Sequence, residues 1–150
     1  QLDRFAMQLR MGYPERDEEL DILARQRLND PLLDVRPVAS VEDVRTAQAE
    51  VRQVAVEDSV TRYLTDLVRL SRQEPQLQLG ASPRATLVLY RTCQALAYLR
   101  GRPYVIPDDV KELAVPELAH RVVLETRAKY SGVAKEAVIE SLLNRLPAPT

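Results

Sequence analysis

Between Ser82-Pro83 and Gly101 the chain carries Leu87, Val88, Leu89, Cys93, Leu96, Ala97 and Leu99, so a helix over this stretch keeps little polar face. A helix of that kind has to lie among other helices, which makes a bundle the fold of the surrounding region. Both ends are marked: Ser82 reads as the N-cap, Pro83 as the first helical residue and Gly101 as the residue that stops the helix. Arg84 then falls in the first turn, where the helix dipole disfavours a cation by about 0.3 kcal/mol or more. Two readings are open. Either the Arg84 side chain bends into solvent from an ordinary capped helix, or the helix terminus and the guanidinium together hold an anion, with phosphate the natural one.

The flanking sequence supplies partners for that helix. Ser40, with Asp43 three residues on, opens a helix bearing Val44, Ala47, Val51 and Val54. A second runs from Asp58 to about Arg72 with Val60, Tyr63, Leu64, Leu67 and Val68 as its apolar stripe. Pro75 to Leu79 interrupts the pattern. Pro107-Asp108-Asp109 starts a helix to about Ala119, broken or not at Pro116, and Val122-Val123-Leu124 reads as a short strand. Ser131 is expected to cap a last helix bearing Ala134, Val138 and Leu142. The bundle then spans Ser40 to about Leu146.

Upstream the pattern changes. Phe5, Met7, Leu9, Met11 and Tyr13 alternate with Ala6, Gln8, Arg10 and Gly12, a period of two that predicts a strand ending at Pro14. A strand without a sheet leaves its backbone unpaired, so it is expected to belong to a larger domain whose sheet lies upstream. Asp17 to about Leu28 follows as an amphipathic helix with Leu20, Leu23 and Ala24 on one face, and Asn29 to Ala39, with Pro31 and Pro37, is a connector. The fold class is therefore mainly α, a helical bundle preceded by one strand. Two domains are expected, 1–37 and 38–150.

Composition removes several functions. With 21 basic against 22 acidic residues the net charge is −1, and six Tyr with one Phe supply few stacking platforms, which argues against a dedicated nucleic-acid surface. Cys93 and His120 are each unique, so no disulfide, no cysteine-based metal site and no Ser/His/Asp triad is expected. No apolar run reaches membrane-spanning length and no signal peptide opens the chain, which points to the cytoplasm. Asp108 and Asp109 have the look of an acid/base pair but sit where carboxylates serve a helix dipole.

These residues, in their order, resemble the C-terminal part of a MoxR-type AAA+ ATPase. The resemblance is carried by Leu2-Asp3-Arg4-Phe5, Gly12-Tyr13-Pro14, Glu18-Glu19, Gly80-Ala81-Ser82-Pro83-Arg84-Ala85, Leu99-Arg100-Gly101-Arg102, Tyr104-Val105, Pro107-Asp108-Asp109-Val110 and His120-Arg121-Val122, over residues 1–126. It implies an end-of-core segment in 1–37 followed by a helical lid. It also implies that Arg4 is an arginine finger reaching ATP bound to the neighbouring subunit, and that Arg84 is the sensor 2 arginine, with Ser82 and Pro83 beside it at the nucleotide. Whether Arg84 serves its own subunit or a neighbour stays open, because Val41 to Ala55 matches an extra helix that can move the lid. Ile106 departs from the Thr or Ser that related chains often place before Pro107.

The implied function is to couple ATP binding and hydrolysis to chaperone-like remodelling or metal-insertion maturation of client proteins. Its setting would be a ring, a hexamer by resemblance, with Mg²⁺ and with von Willebrand factor type A domain proteins as partners. The sequence holds no GxxxxGK[ST] loop and no acidic Mg²⁺-binding strand end, so the chain by itself is expected neither to hydrolyse ATP nor to bind it tightly. The alternative, from the residues alone, is a stand-alone helical module that binds a protein surface without nucleotide chemistry.

Overall fold

In the computed structural model, which describes residues 2–27 and 30–149, the chain forms α1 (Arg16–Gln26), α2 (Val41–Val51), α3 (Asp58–Ser71), β1 (Leu77–Leu79), α4 (Pro83–Leu99), α5 (Pro107–Leu118), β2 (Val123–Leu124), α6 (Thr126–Tyr130) and α7 (Lys135–Arg145). It is mainly helical, with short 3-10 turns at Leu2–Arg4, Pro31–Asp34 and Ala119–Arg121. The chain divides into two compact units: one joins the stretch ending at Gln8 to everything from Gln48 onward, and the other is Leu9–Ala47. The boundary expected at residues 37–38 falls inside the second.

In the first unit α4 packs against α3 and α5, and α7 packs across α3 and α5. The stripe read for α3 is the one it buries, Val60, Tyr63, Leu64, Leu67 and Val68, at i, i+3, i+4, i+7 and i+8. These meet Ala85, Leu89, Cys93 and Ala97 of α4, Val110, Leu113, Ala114 and Leu118 of α5, and Ile139 and Leu142 of α7 in one core. Each fully buried leucine or isoleucine in it is worth roughly 1.5–3 kcal/mol of transfer from water. Helix α4 is central, though not enclosed on all sides: Leu87 is 59% exposed and Leu99 80%, so its apolar composition exceeds what the bundle covers.

Helix ends follow their residues with informative exceptions. At the C-terminus of α4, Gly101 (φ +69°) takes the C′ position, its N–H donating to Tyr98 O at 2.9 Å and that of Arg102 to Ala97 O at 2.9 Å, a Schellman pair. At the start of α5, Ile106 has no oxygen to cap with. Asp109 supplies half a capping box instead, its carboxylate accepting from the Ile106 N–H at 3.0 Å. The same carboxylate is fully buried and receives Arg102 Nη1 at 2.9 Å and Nη2 at 2.5 Å, with Arg100 Nη1 at 3.3 Å. Asp109 thus ties the Gly101 turn to α5, beyond serving the helix dipole. Pro116 does not break α5; it lies in the last turn, where it removes one backbone donor, and the chain then tightens into the 3-10 turn Ala119–Arg121.

Two expectations need correction. Ser131 is the C-cap of α6, its hydroxyl donating to Arg127 O at 3.0 Å, and α7 starts from Ala134 with no side-chain cap. Helix α6 itself had no sequence signal because five residues are too few to show a period. The strand expected from Phe5 to Tyr13 is not formed: residues 7–15 are neither helix nor strand, and Gly12 (φ +72°) leaves the β region. An alternating sequence becomes a strand only where a ladder partner exists, and the sheet among the described residues is β1 with β2, antiparallel, Leu77 opposite Leu124 and Leu79 opposite Val123.

In the Leu9–Ala47 unit, α1 begins with a carboxylate from Glu18 on the Glu15 N–H at 2.9 Å and acids in its first turn. It buries no residue, and the face read as Leu20, Leu23 and Ala24 is exposed. Its expected end at Leu28 and the Asn29 start of the connector lie outside the described residues; Pro31–Asp34 is a 3-10 turn capped by Asp30. The Ser40 capping box forms as expected, Ser40 N–H to Asp43 Oδ2 at 2.7 Å and Asp43 N–H to Ser40 Oγ at 3.1 Å.

Gly80 is where α4's approach is fixed. A Cβ there would stand 2.6 Å from Arg72 Cα and 2.6 Å from Ser71 O, backbone atoms at the end of α3 that cannot swing aside. Gly80→Ala is therefore expected to cost about 1–3 kcal/mol, as overpacking does, read as a lowered Tm in thermal denaturation. An unchanged Tm would show that the chain relaxes around the methyl group.

Candidate functional site

Two backbone anchors at the end of α3 set the head of α4. The buried Ser71 Oγ accepts from the Ala81 N–H at 3.0 Å and donates to Val68 O at 2.6 Å, and Arg72 Nε donates to Ala81 O at 2.8 Å. With Gly80 seated on the same turn, Ser82 and Pro83 can only leave in the direction of α4. Ser82 is the N-cap by backbone conformation, yet its hydroxyl makes no cap bond; it reaches the Asp3 carboxylate, 3.3 Å from each oxygen. The expected N-cap bond is thus replaced by a link to a residue 79 positions away.

Asp3 precedes Arg4 in the 3-10 turn Leu2–Arg4. It does not pair with Arg4; its carboxylate receives Arg121 Nη1 at 2.8 Å. Arg121, from the turn after α5, has a fully buried side chain. Nη1 also donates to Asp3 O at 3.0 Å, and Nη2 donates to Phe5 O at 2.6 Å and Ala6 O at 3.3 Å. His120 joins from the same turn, Nε2 lying 3.1 Å from Phe5 O and Nδ1 3.1 Å from Pro116 O, while the Gln8 N–H donates to Pro116 O at 2.8 Å. The unique histidine is a buried backbone holder.

The structure therefore joins the segments that bear the two arginines: Arg4 directly follows Asp3, and Arg84 lies two residues after Ser82. Both arginines are exposed, and among the described residues neither side chain makes a hydrogen bond or an ion pair. Beside the joint lies a pocket of about 510 Å³ lined by Asp3, Arg72, Gln78, Leu79, Gly80, Ala81, Ser82 and Arg121. Among the described residues no group of three or more His, Cys, Asp or Glu is placed to hold a metal ion, and no helix is long and apolar enough to cross a membrane.

One buried acid lies a helical turn before Arg121. Glu117 is fully buried, and neither carboxylate oxygen has a hydrogen-bond partner among the described residues. Burial pushes its pKa up to about 7, with the nearby Thr92 hydroxyl and Arg121 guanidinium pulling the other way. Burial also raises the neighbouring Cys93 thiol far above its ordinary value, helped by the negative potential of Glu117 and Asp109, so Cys93 is an inert core residue, as its place in an apolar helix implies. Sequence reading missed Glu117, whose signal was a charge inside the apolar segment Leu113-Ala114-Val115-Pro116-Glu117-Leu118-Ala119, and it gave Asp109 a helix-dipole role, without its pairing to Arg102, and Arg121 no structural role.

Residues 69–142 match the AAA lid domain family. Across 99% of its length the chain is 42% identical to the uncharacterized protein YeaC of Bacillus subtilis, of which it covers 47%, and 32% identical to the chaperone MoxR1 of Mycobacterium tuberculosis, of which it covers 41%. A solved structure of a provisionally assigned ATPase from Cytophaga hutchinsonii superposes with a TM-score of 0.88 at 28% identity, over 99% of this chain and 48% of that one. The chain thus spans less than half the length of the relatives it matches.

The raised Glu117 pKa has a signed consequence. A carboxyl held protonated in the folded state binds more protons folded than unfolded between about pH 4.5 and 7, so stability is intact below that window and falls as pH rises through it. Glu117→Gln, which keeps the shape and removes the titration, is expected to raise stability by about 1–3 kcal/mol at pH 8 and by almost nothing at pH 4, measured by urea denaturation at both values. An equal effect at the two pH values would contradict the assignment. With an AAA lid domain match over residues 69–142 and similarity over 99% of its length to the chaperone MoxR1, the chain resembles the lid-bearing part of a MoxR-type AAA+ protein.

Proposed function

We propose that the chain is the lid-bearing part of a MoxR-type ATPase that couples ATP binding and hydrolysis to the remodelling of client proteins. The observation that carries the reading is the joint at the head of α4, where two exposed, unpaired arginines, Arg4 and Arg84, are linked through Asp3 and Ser82. Phosphoryl transfer to water asks little covalent chemistry of a protein and much neutralisation of the charge that spreads over the γ-phosphate oxygens. Arg4 supplies that charge to ATP held by the neighbouring subunit of a ring, a contribution of about 10³–10⁵ in rate for an arginine finger. Arg84, held by Ser82 and Pro83 in the first turn of α4, contacts nucleotide phosphate and is drawn towards it by the absence of any competing carboxylate in that turn.

The phosphate-binding loop and the Mg²⁺-binding acids of such a machine lie in sequence this chain does not hold. A hexameric ring in the cytoplasm, partners with von Willebrand factor type A domains and a role in chaperone-like maturation or metal insertion complete the proposal; similarity to a protein named as a chaperone supports the remodelling part. Finding a GxxxxGK[ST] loop and an acidic strand end in the codons preceding Gln1 is the expected result of sequencing the gene. In the encoded protein Arg84→Ala should lower ATP turnover by about tenfold or more while leaving the Tm within about 2 °C, since an exposed side chain without partners holds nothing together. An encoded protein lacking that loop, or an Arg84→Ala variant that unfolds early, would instead favour a helical interaction module without nucleotide chemistry.

A further inference from the structure

We propose that Arg121 is a positioning residue for Arg4, its guanidinium fastening residues 3–6 to the bundle so that Arg4 and Arg84 are carried on one rigid piece. The inference rests on Arg4 acting as a finger and adds how it would be controlled: whatever shifts the head of α4 in one subunit shifts the Arg4 that this subunit presents to the next.

The Arg121 side chain has no exposed surface, and its four hydrogen bonds from Nη1 and Nη2 go to Asp3 O, Asp3 Oδ1, Phe5 O and Ala6 O. Among the described residues Nε has no partner, so those acceptors are what the guanidinium possesses besides the low-dielectric surroundings. Lifting residues 3–6 away would leave a buried charge uncompensated, a loss far greater than that of a surface ion pair. The acceptors are backbone carbonyls on both sides of Arg4, so the fork fixes the direction of the chain there and not just one side chain. Asp3 then passes the constraint on: the carboxylate held by Arg121 also receives the Ser82 hydroxyl, two residues before Arg84. Arg121, Asp3 and Ser82 form a continuous polar path from the turn after α5 to the helix that carries Arg84. The residues up to Gln8 accordingly cluster with Gln48 onward, whereas Leu9–Ala47 forms its own unit.

Amide hydrogen exchange on this 150-residue chain, without nucleotide, reads the clamp directly. Arg121→Lys keeps the charge and loses the fork; it should speed exchange in residues 3–8 by about tenfold or more while α3 and α4 exchange as in wild type. If that variant loosens the whole chain, Asp3→Ala decides, because its side chain is partly exposed and its loss need not disturb the core. Acceleration confined to residues 3–8 supports the clamp, and unchanged exchange there in a folded variant overturns it. In the ATP-hydrolysing protein Arg121→Lys should lower kcat about tenfold with KM for ATP held within about twofold, as a displaced finger would, whereas unchanged kcat overturns the positioning role. If Arg4→Ala leaves turnover intact, the finger reading fails while the exchange result stands by itself.

Discussion

A guanidinium enclosed on all sides must find acceptors within reach, and Arg121 finds them in the three residues that surround Arg4. That requirement organises the first unit. It brings a sequence-distant segment onto the turn after α5, it fixes the Asp3 carboxylate where Ser82 can donate to it, and it leaves Arg4 outside. The head of α4 is determined from the opposite side by Ser71, Arg72 and the bare backbone of Gly80. Two rigid constraints, one polar and one steric, meet at Ser82. Arg4 and Arg84 stay exposed on the segments that these constraints join.

The core beneath this joint is ordinary in composition and particular in its few charges. Asp109 answers Arg100, Arg102 and the Ile106 N–H together, so its burial is compensated. Glu117 is not compensated, and it responds by holding its proton to about pH 7. The bundle therefore tolerates a neutral acid more readily than a charged one at the place where α5 turns towards Arg121. Helix α5 consequently carries two buried acids with opposite solutions, one paired and one protonated.

Much of this was legible in the residues. The α3 stripe, the Ser40–Asp43 capping box, the Gly101 stop and the Ser82-Pro83 start follow from local periodicity and end chemistry, which act within a turn or two of helix. Local rules failed where the deciding partner is distant. Ser82 looks like a plain N-cap until Asp3 competes for its hydroxyl, and the alternation from Phe5 to Tyr13 looks like a strand until no ladder is offered. Arg121 and His120 gave no signal of their own, because a buried Arg is recognised by its acceptors and those lie more than a hundred residues away. Arg84 was singled out by its place in the first turn of α4 and Arg4 through a family resemblance; what the fold adds is that the segments bearing them touch.

The central proposal is that Arg4, on a segment fastened to the bundle that carries Arg84, acts across a subunit boundary. The most direct measurement is ATP turnover in mixed rings, combining Arg4→Ala subunits with subunits that keep Arg4 but have a disabled nucleotide pocket. Each population alone should be nearly inactive, and mixing should restore turnover, because an intact Arg4 then faces an intact pocket across the interface. If mixed rings form and turnover stays at the level of the separate populations, Arg4 does not serve a neighbour and the account is contradicted.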